Sequence, residues 1–182
     1  FDTASDIKAA GFSIDESLGP TPSSEFIVDV LKAFDGQEIL ESAVSPHGVL
    51  GELTELIEEG YVTVQDCVDV TQDSSSEHYG TTLSSMGLNV EQVQGANIEG
   101  LTLKGAGFSW DEVPLADVAA SGFSVDDIGS EAMDQVAACG FSIEDFMGST
   151  DPSLGNIKRA GFEPEQYSQW AGPGDADYKA AG

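Results

Sequence analysis

The sequence predicts an all-α fold: an irregular stack of short helical hairpins joined by Gly-Phe-Ser junctions, with little or no β structure. Three observations lead there. A glycine followed by a large apolar residue recurs at Gly11-Phe12, Gly60-Tyr61, Gly87-Leu88, Gly107-Phe108, Gly122-Phe123, Gly140-Phe141 and Gly161-Phe162. A branched aliphatic stands four residues before each of these glycines: Ile7, Leu56, Leu83, Leu103, Val118, Val136 and Ile157. A capping residue with a carboxylate or amide three positions on follows most of them.

The physical reason is a helix that stops and another that starts. Glycine just past a helix end adopts the left-handed conformation without a Cβ clash, and the next residue folds back on the last turn. Counting back from Gly140, Val136 and Phe141 are the two partners of that contact. Phe12, Phe108, Phe123, Phe141 and Phe162 are therefore expected as core staples. Ser13, Ser109, Ser124 and Ser142 then open helices, with Glu16, Glu112, Asp127 and Asp145 at capping-box spacing. Thr63 with Asp66 and Asn89 with Gln92 repeat the pair, and Glu163-Pro164-Glu165 is a weaker version with proline at a first helical position.

Taken in order, "SDIKAAG" is a first helix and "SLGPTPSS" a loop. Ser24 caps "EFIVDVLKAF", which places Phe26, Ile27, Val30, Leu31 and Phe34 on one stripe. "VLGELTELIEEG" does the same with Val49, Leu50, Leu53, Leu56 and Ile57. "SPHG", "TQDSSSE" and "GSTDPS" read as loops, and "ANIEGLTLKGAGF" as a turn-rich linker into Leu103. Beyond it, short turns ("SVDDI", "SIEDF") alternate with longer helices ("AMDQVAACG", "LGNIKRAG"). Successive junctions there lie 20, 15, 18 and 21 residues apart, an irregular repeat whose units are too small to bury a face alone. The expected division is an irregular half with longer helices, 1–80, and a short-repeat half, 81–182, forming one continuous unit.

Composition narrows the partners. With 33 acidic against 6 basic residues, the net charge is −27. Such a surface repels phosphate backbones and anionic lipid, so protein partners are expected and nucleic acid is not. No run approaches the roughly 20 apolar residues of a membrane-spanning helix, so no membrane insertion is expected. Cys67 and Cys139 are expected to be buried thiols.

No catalytic constellation is legible, and neither an enzyme nor a cofactor is expected. There is no P-loop and no dinucleotide fingerprint. "DVTQDSSSE" carries acids near a calcium-loop spacing without the glycine that an EF-hand turn needs, so calcium binding would be weak. His47 and His78 are 31 residues apart and form no close metal-ligand pair with Cys67 or Cys139. The candidate partner-binding residues are Trp110, Trp170 and Tyr167. Trp110 occupies a first helical position where its counterparts are Ile14, Val125 and Ile143, and Trp is enriched in interface hot spots.

The junctions "IKAAGFSIDE", "LKGAGFSWDE" and "IKRAGFEPEQ" resemble short helical-repeat proteins with an L-K-x-A-G-F-S core. The resemblance covers roughly two-thirds of the chain, judged by the capping repeat, and residues 20–59 depart from it. It implies a non-catalytic scaffold or linker subunit that holds partner proteins together. The chain starts at Phe1, and its last residues, "DADYKAAG", match "SDIKAAG" near its start. A trimmed chain or a piece of a longer repeat protein is the expectation. An acidic chain beginning with Phe also looks like a processed plastid protein of algae with red-lineage plastids, in stroma or lumen, where it could link antenna proteins to a photosystem. The alternative is a salt-adapted extracellular or virion structural protein that binds calcium weakly.

Overall fold

The computed structural model describes residues 3–18, 24–42, 53–150 and 152–167. Every regular element among them is helical. They fall into two compact units, Phe1–Leu101 and Thr102–Gly182. The expected boundary at 80/81 lies inside the first.

The first unit holds α1 (Ala4–Ala9), α2 (Ile14–Leu18), α3 (Ser24–Ala33), α4 (Gly36–Leu40), α5 (Leu53–Glu58), α6 (Val64–Gln72) and α7 (Val90–Ala96). Helix α3 packs against α1 and α2, and α6 against α4 and α7. The stripe on α3 is graded: Val30, Leu31 and Phe34 are buried, while Phe26 and Ile27 are half-buried. Ser24 is the first residue of α3 rather than the one before it. Leu53 and Leu56 are buried on α5, and Val49 and Leu50 lie outside the described residues.

All seven junction glycines have positive φ, between 79° at Gly60 and 95° at Gly87. At Gly11, Gly60, Gly87 and Gly107 both bonds of the expected stop are present. For Gly60, its own N–H donates to the Ile57 carbonyl at 3.1 Å, and the Tyr61 N–H donates to that of Leu56 at 2.9 Å.

The second unit is built from α8 (Val125–Ile128), α9 (Ile143–Met147), α10 (Leu154–Arg159), α11 (Pro164–Tyr167) and four three-residue 3-10 turns: Trp110–Glu112, Leu115–Asp117, Ala119–Ser121 and Met133–Gln135. The longer helix expected in "AMDQVAACG" is not formed. Only Met133–Gln135 winds, as a 3-10 turn, and turns carry the chain to Gly140.

The reason is where the backbone N–H groups go. The residue three before a junction glycine donates forward, to the carbonyl just before the next junction glycine. Lys104 donates to Ser121 at 3.1 Å, Ala119 to Cys139 at 3.0 Å and Ala137 to Ala160 at 2.9 Å. Each such N–H is lost to the helix it would otherwise extend, so those segments close as 3-10 turns or open turns. Gly122 and Gly140 sit where one segment meets the previous one. A Cβ on Gly122 would stand 2.9 Å from the Thr102 side chain, and one on Gly140 would stand 3.0 Å from the Ala116 carbonyl oxygen.

The staples are not uniform. Phe108, Phe141 and Phe162 are buried, as are Val118, Val136 and Ile157. Phe123 is half-buried and Phe12 is 41% exposed, so these two are not the core residues expected. Gly11 ends a helix near the edge of the first unit's packing, where Ile7 itself is only half-buried.

Candidate partner-binding surface

The junction acids act as helix starters. Ser109 donates both its N–H and its hydroxyl to Glu112, at 2.7 and 2.8 Å. Ser124 does so to Asp127 at 2.7 Å each, and Ser142 to Asp145 at 2.8 and 2.7 Å. Ser13 with Glu16 and Thr63 with Asp66 close likewise, and the Asn89 N–H donates to the Gln92 side chain while the Asn89 side-chain oxygen accepts from the Gln92 N–H. Asp35 with Glu38 forms a further box at the start of α4. This box lies outside the glycine junctions, and its D-x-x-E spacing is the standard signal for one.

Electrostatics follow from these bonds. The Ser142 hydroxyl and N–H hold the Asp145 carboxyl below its ordinary range, and the Ser109 N–H and hydroxyl do the same for Glu112. Asp127 is the strongest case. Burial pushes it up, but Lys104 and Ser124 outweigh that and bring it down to about 2. Lys104 Nζ lies 2.9 and 2.7 Å from its two oxygens, tying residues 23 apart in sequence. A folded-state value below the unfolded one gives stability that is present above about pH 4 and lost as pH falls toward 2. Asp127→Asn should therefore flatten the acid limb of the second unit's stability curve, read by urea melts at successive pH values. An unchanged slope between pH 4 and 2 would show that this pair carries no linkage.

Asp126 accepts from the Thr150 N–H and hydroxyl, both at 3.0 Å. Asp111 and Glu144, the acids beside the box-closing residues, are exposed. Successive helix starts thus present carboxylates to solvent. Trp110 stands among them. Its counterparts at the first helical position, Ile14, Val125 and Ile143, are 3 to 6% exposed, whereas Trp110 is half-buried. The position points inward, and the larger indole leaves part of its surface outside. Leu115, five residues on, is 39% exposed. Tyr167 ends α11, but its side chain and all of Trp170 lie outside the described residues.

The other candidates are accounted for locally. Cys67 and Cys139 are free and buried, and burial pushes the Cys67 thiol up to about 12. His78 places Nε2 3.0 Å from the Leu40 carbonyl oxygen, pinning its loop to α4, and His47 lies outside the described residues. Among the described residues no group of three or more His, Cys, Asp or Glu side chains could hold a metal ion. In "DVTQDSSSE", Asp73 accepts from Ser75 and Asp69 from Gln37 and Gln65, beside a polar cavity of about 500 Å³. A second cavity, of about 600 Å³, is lined by Ile57, Val62, Val64, Gln92 and Ile98. No helix among the described residues is long and apolar enough to cross a membrane. No family model, curated protein or solved structure matches the chain.

Proposed function

We propose that this chain is a non-catalytic acidic scaffold or linker subunit, built as a stack of short helical units, that holds partner proteins together in a larger assembly. The observation that carries the reading is the forward backbone bond repeated at Lys104, Ala119 and Ala137. A bond recurring in one register fixes successive helix starts at defined spacing, which suits a surface meant to hold others in place. What that surface offers is charge and one aromatic anchor. Asp111, Glu112, Glu144 and Asp145 are exposed, and Trp110 is partly so. Protein partners with basic contact surfaces fit this pattern, because opposite charge steers encounter and a part-exposed Trp supplies binding energy. An antenna–photosystem linker in an algal plastid is the narrower form of the proposal.

The test is affinity capture of partners by the purified chain and by Trp110→Ala, followed by elution with salt. The expected outcome is partner release as salt rises and at least about tenfold weaker capture by the variant, the usual size of a hot-spot loss. Partners retained equally by both chains would remove Trp110 from the surface. Absence of any partner at physiological salt would defeat the scaffold reading.

A further inference from the structure

One side chain of the first unit carries a donor that the rest of the protein leaves without an acceptor. Gln92 Nε2 is buried and donates to no protein atom, and among the described residues no other buried side-chain nitrogen or oxygen is in that position. The amide cannot turn over to mend this. Its Oε1 accepts from the Asn89 N–H at 3.0 Å and closes the box that opens α7, so exchanging oxygen and nitrogen would break the cap. Buried donors nearly always have a partner, and leaving one unmade is costly. Gln92 also lines the cavity of about 600 Å³, together with the apolar side chains of Ile57, Val62, Val64 and Ile98. Among the described residues of its wall, Glu99 alone is charged. The other cavity, by contrast, is walled by three carboxylates, Glu41, Asp69 and Asp73.

We propose that this cavity binds a small, uncharged, largely apolar molecule whose carbonyl oxygen accepts from Gln92 Nε2. Each part of that description answers a feature of the wall. The unpartnered group is a donor, so the ligand supplies an acceptor. Val62 and Val64 are buried and Ile57 and Ile98 are half-buried, so the body that covers them is apolar. Glu99 and the net charge of −27 disfavour a carboxylate or a phosphate, so the acceptor is neutral. A simple cation brings no acceptor and leaves the donor as it is. A volume of about 600 Å³ falls within the roughly 300–1,000 Å³ of small-molecule sites. The site belongs to the first unit and makes no use of Trp110, so it stands apart from the partner-binding surface proposed above.

Titration of the full, nitrogen-15-labelled chain with N,N-dimethylbenzamide, followed by NMR, tests the proposal. This probe is an uncharged amide that accepts a hydrogen bond and cannot donate one. The expected result is saturable shifts of the Gln92 side-chain NH2 signal and of the Val62, Val64 and Ile98 N–H signals, at probe concentrations up to about 10 mM, the range for a ligand of this size. Benzoate, of similar size but charged, should bind at least about fivefold more weakly. Gln92→Glu keeps an oxygen for the Asn89 N–H and removes the donor, and should weaken the probe at least about fivefold, the worth of one hydrogen bond. Ala96 is an exposed residue of the cavity wall, so Ala96→Phe should fill the space and abolish binding without touching Gln92. Thermal melts of both variants check that the fold is kept. No saturable shift at these residues overturns the proposal, as does a probe that Ala96→Phe still binds. Binding unchanged in Gln92→Glu would mean that water alone satisfies the donor, and benzoate bound as tightly as the amide would overturn the neutral carbonyl as the ligand's acceptor.

Discussion

Replacing Phe146 with alanine should remove about 3–5 kcal/mol from the second unit, a large part of what a small unit has. Phe146 is completely buried, and its ring meets that of Phe162 edge-on with centroids 5.7 Å apart and planes at 71°. Phe162 is the residue after Gly161, so the pair ties helix α9 to the junction that ends α10. Truncating a buried Phe costs about 3–5 kcal/mol, from lost transfer energy and the cavity left behind. Edge-to-face geometry adds about 0.5–1.5 kcal/mol. A small unit has roughly 5–15 kcal/mol in all, so this one change removes much of it. Trp fluorescence reads the result cleanly, because Trp110 and Trp170 both belong to residues 102–182. In urea the variant's fluorescence transition should move sharply to lower concentration. A shift worth less than about 1 kcal/mol would mean that Phe146 is not the centre of that core.

Gly140→Ala should also be strongly damaging, by about 2–3 kcal/mol. A left-handed alanine costs roughly 1–2 kcal/mol wherever it occurs. At Gly140 the new Cβ also meets the Ala116 carbonyl oxygen at 3.0 Å, and a backbone atom cannot swing aside as a side-chain end can. Gly161 supplies the comparison. Its φ of 84° is nearly that of Gly140, at 82°, but its nearest neighbour, the Asp134 carbonyl oxygen, is 3.5 Å away, an ordinary contact. Gly161→Ala should thus show the conformational cost alone. The difference between the two variants measures how tightly one segment rests on the previous one. Equal losses would mean that the segments are not in close register at Gly140.

Much of this was legible in the sequence because it is local. Gly140, Phe141, Ser142 and Asp145 declare their roles within six residues, through φ preference and capping chemistry. The all-helical character follows from the same grammar. The forward backbone bonds were not legible, because they pair Lys104 with Ser121 and Ala137 with Ala160 through groups that every residue carries. That also explains the missing helix in "AMDQVAACG". Its helical pattern is real, but tertiary pairing takes the Ala137 N–H, one of the groups that would sustain it. Phe12 was misjudged for a related reason. The stop at Gly11 forms with both bonds in place, yet the Phe12 ring stays 41% exposed. The candidate surface was half legible: Trp110 stood out as the large residue in a series of aliphatics, whereas the exposure of Leu115 depends on packing.

The scaffold proposal meets its most direct test in the native source. The chain would be isolated under gentle conditions at physiological salt, sized by gel filtration and cross-linked for mass spectrometry. The account predicts co-elution with at least two other proteins, and cross-links that place residues near Trp110 and the acidic helix starts against basic stretches of those partners. A chain that elutes without any other protein would contradict it.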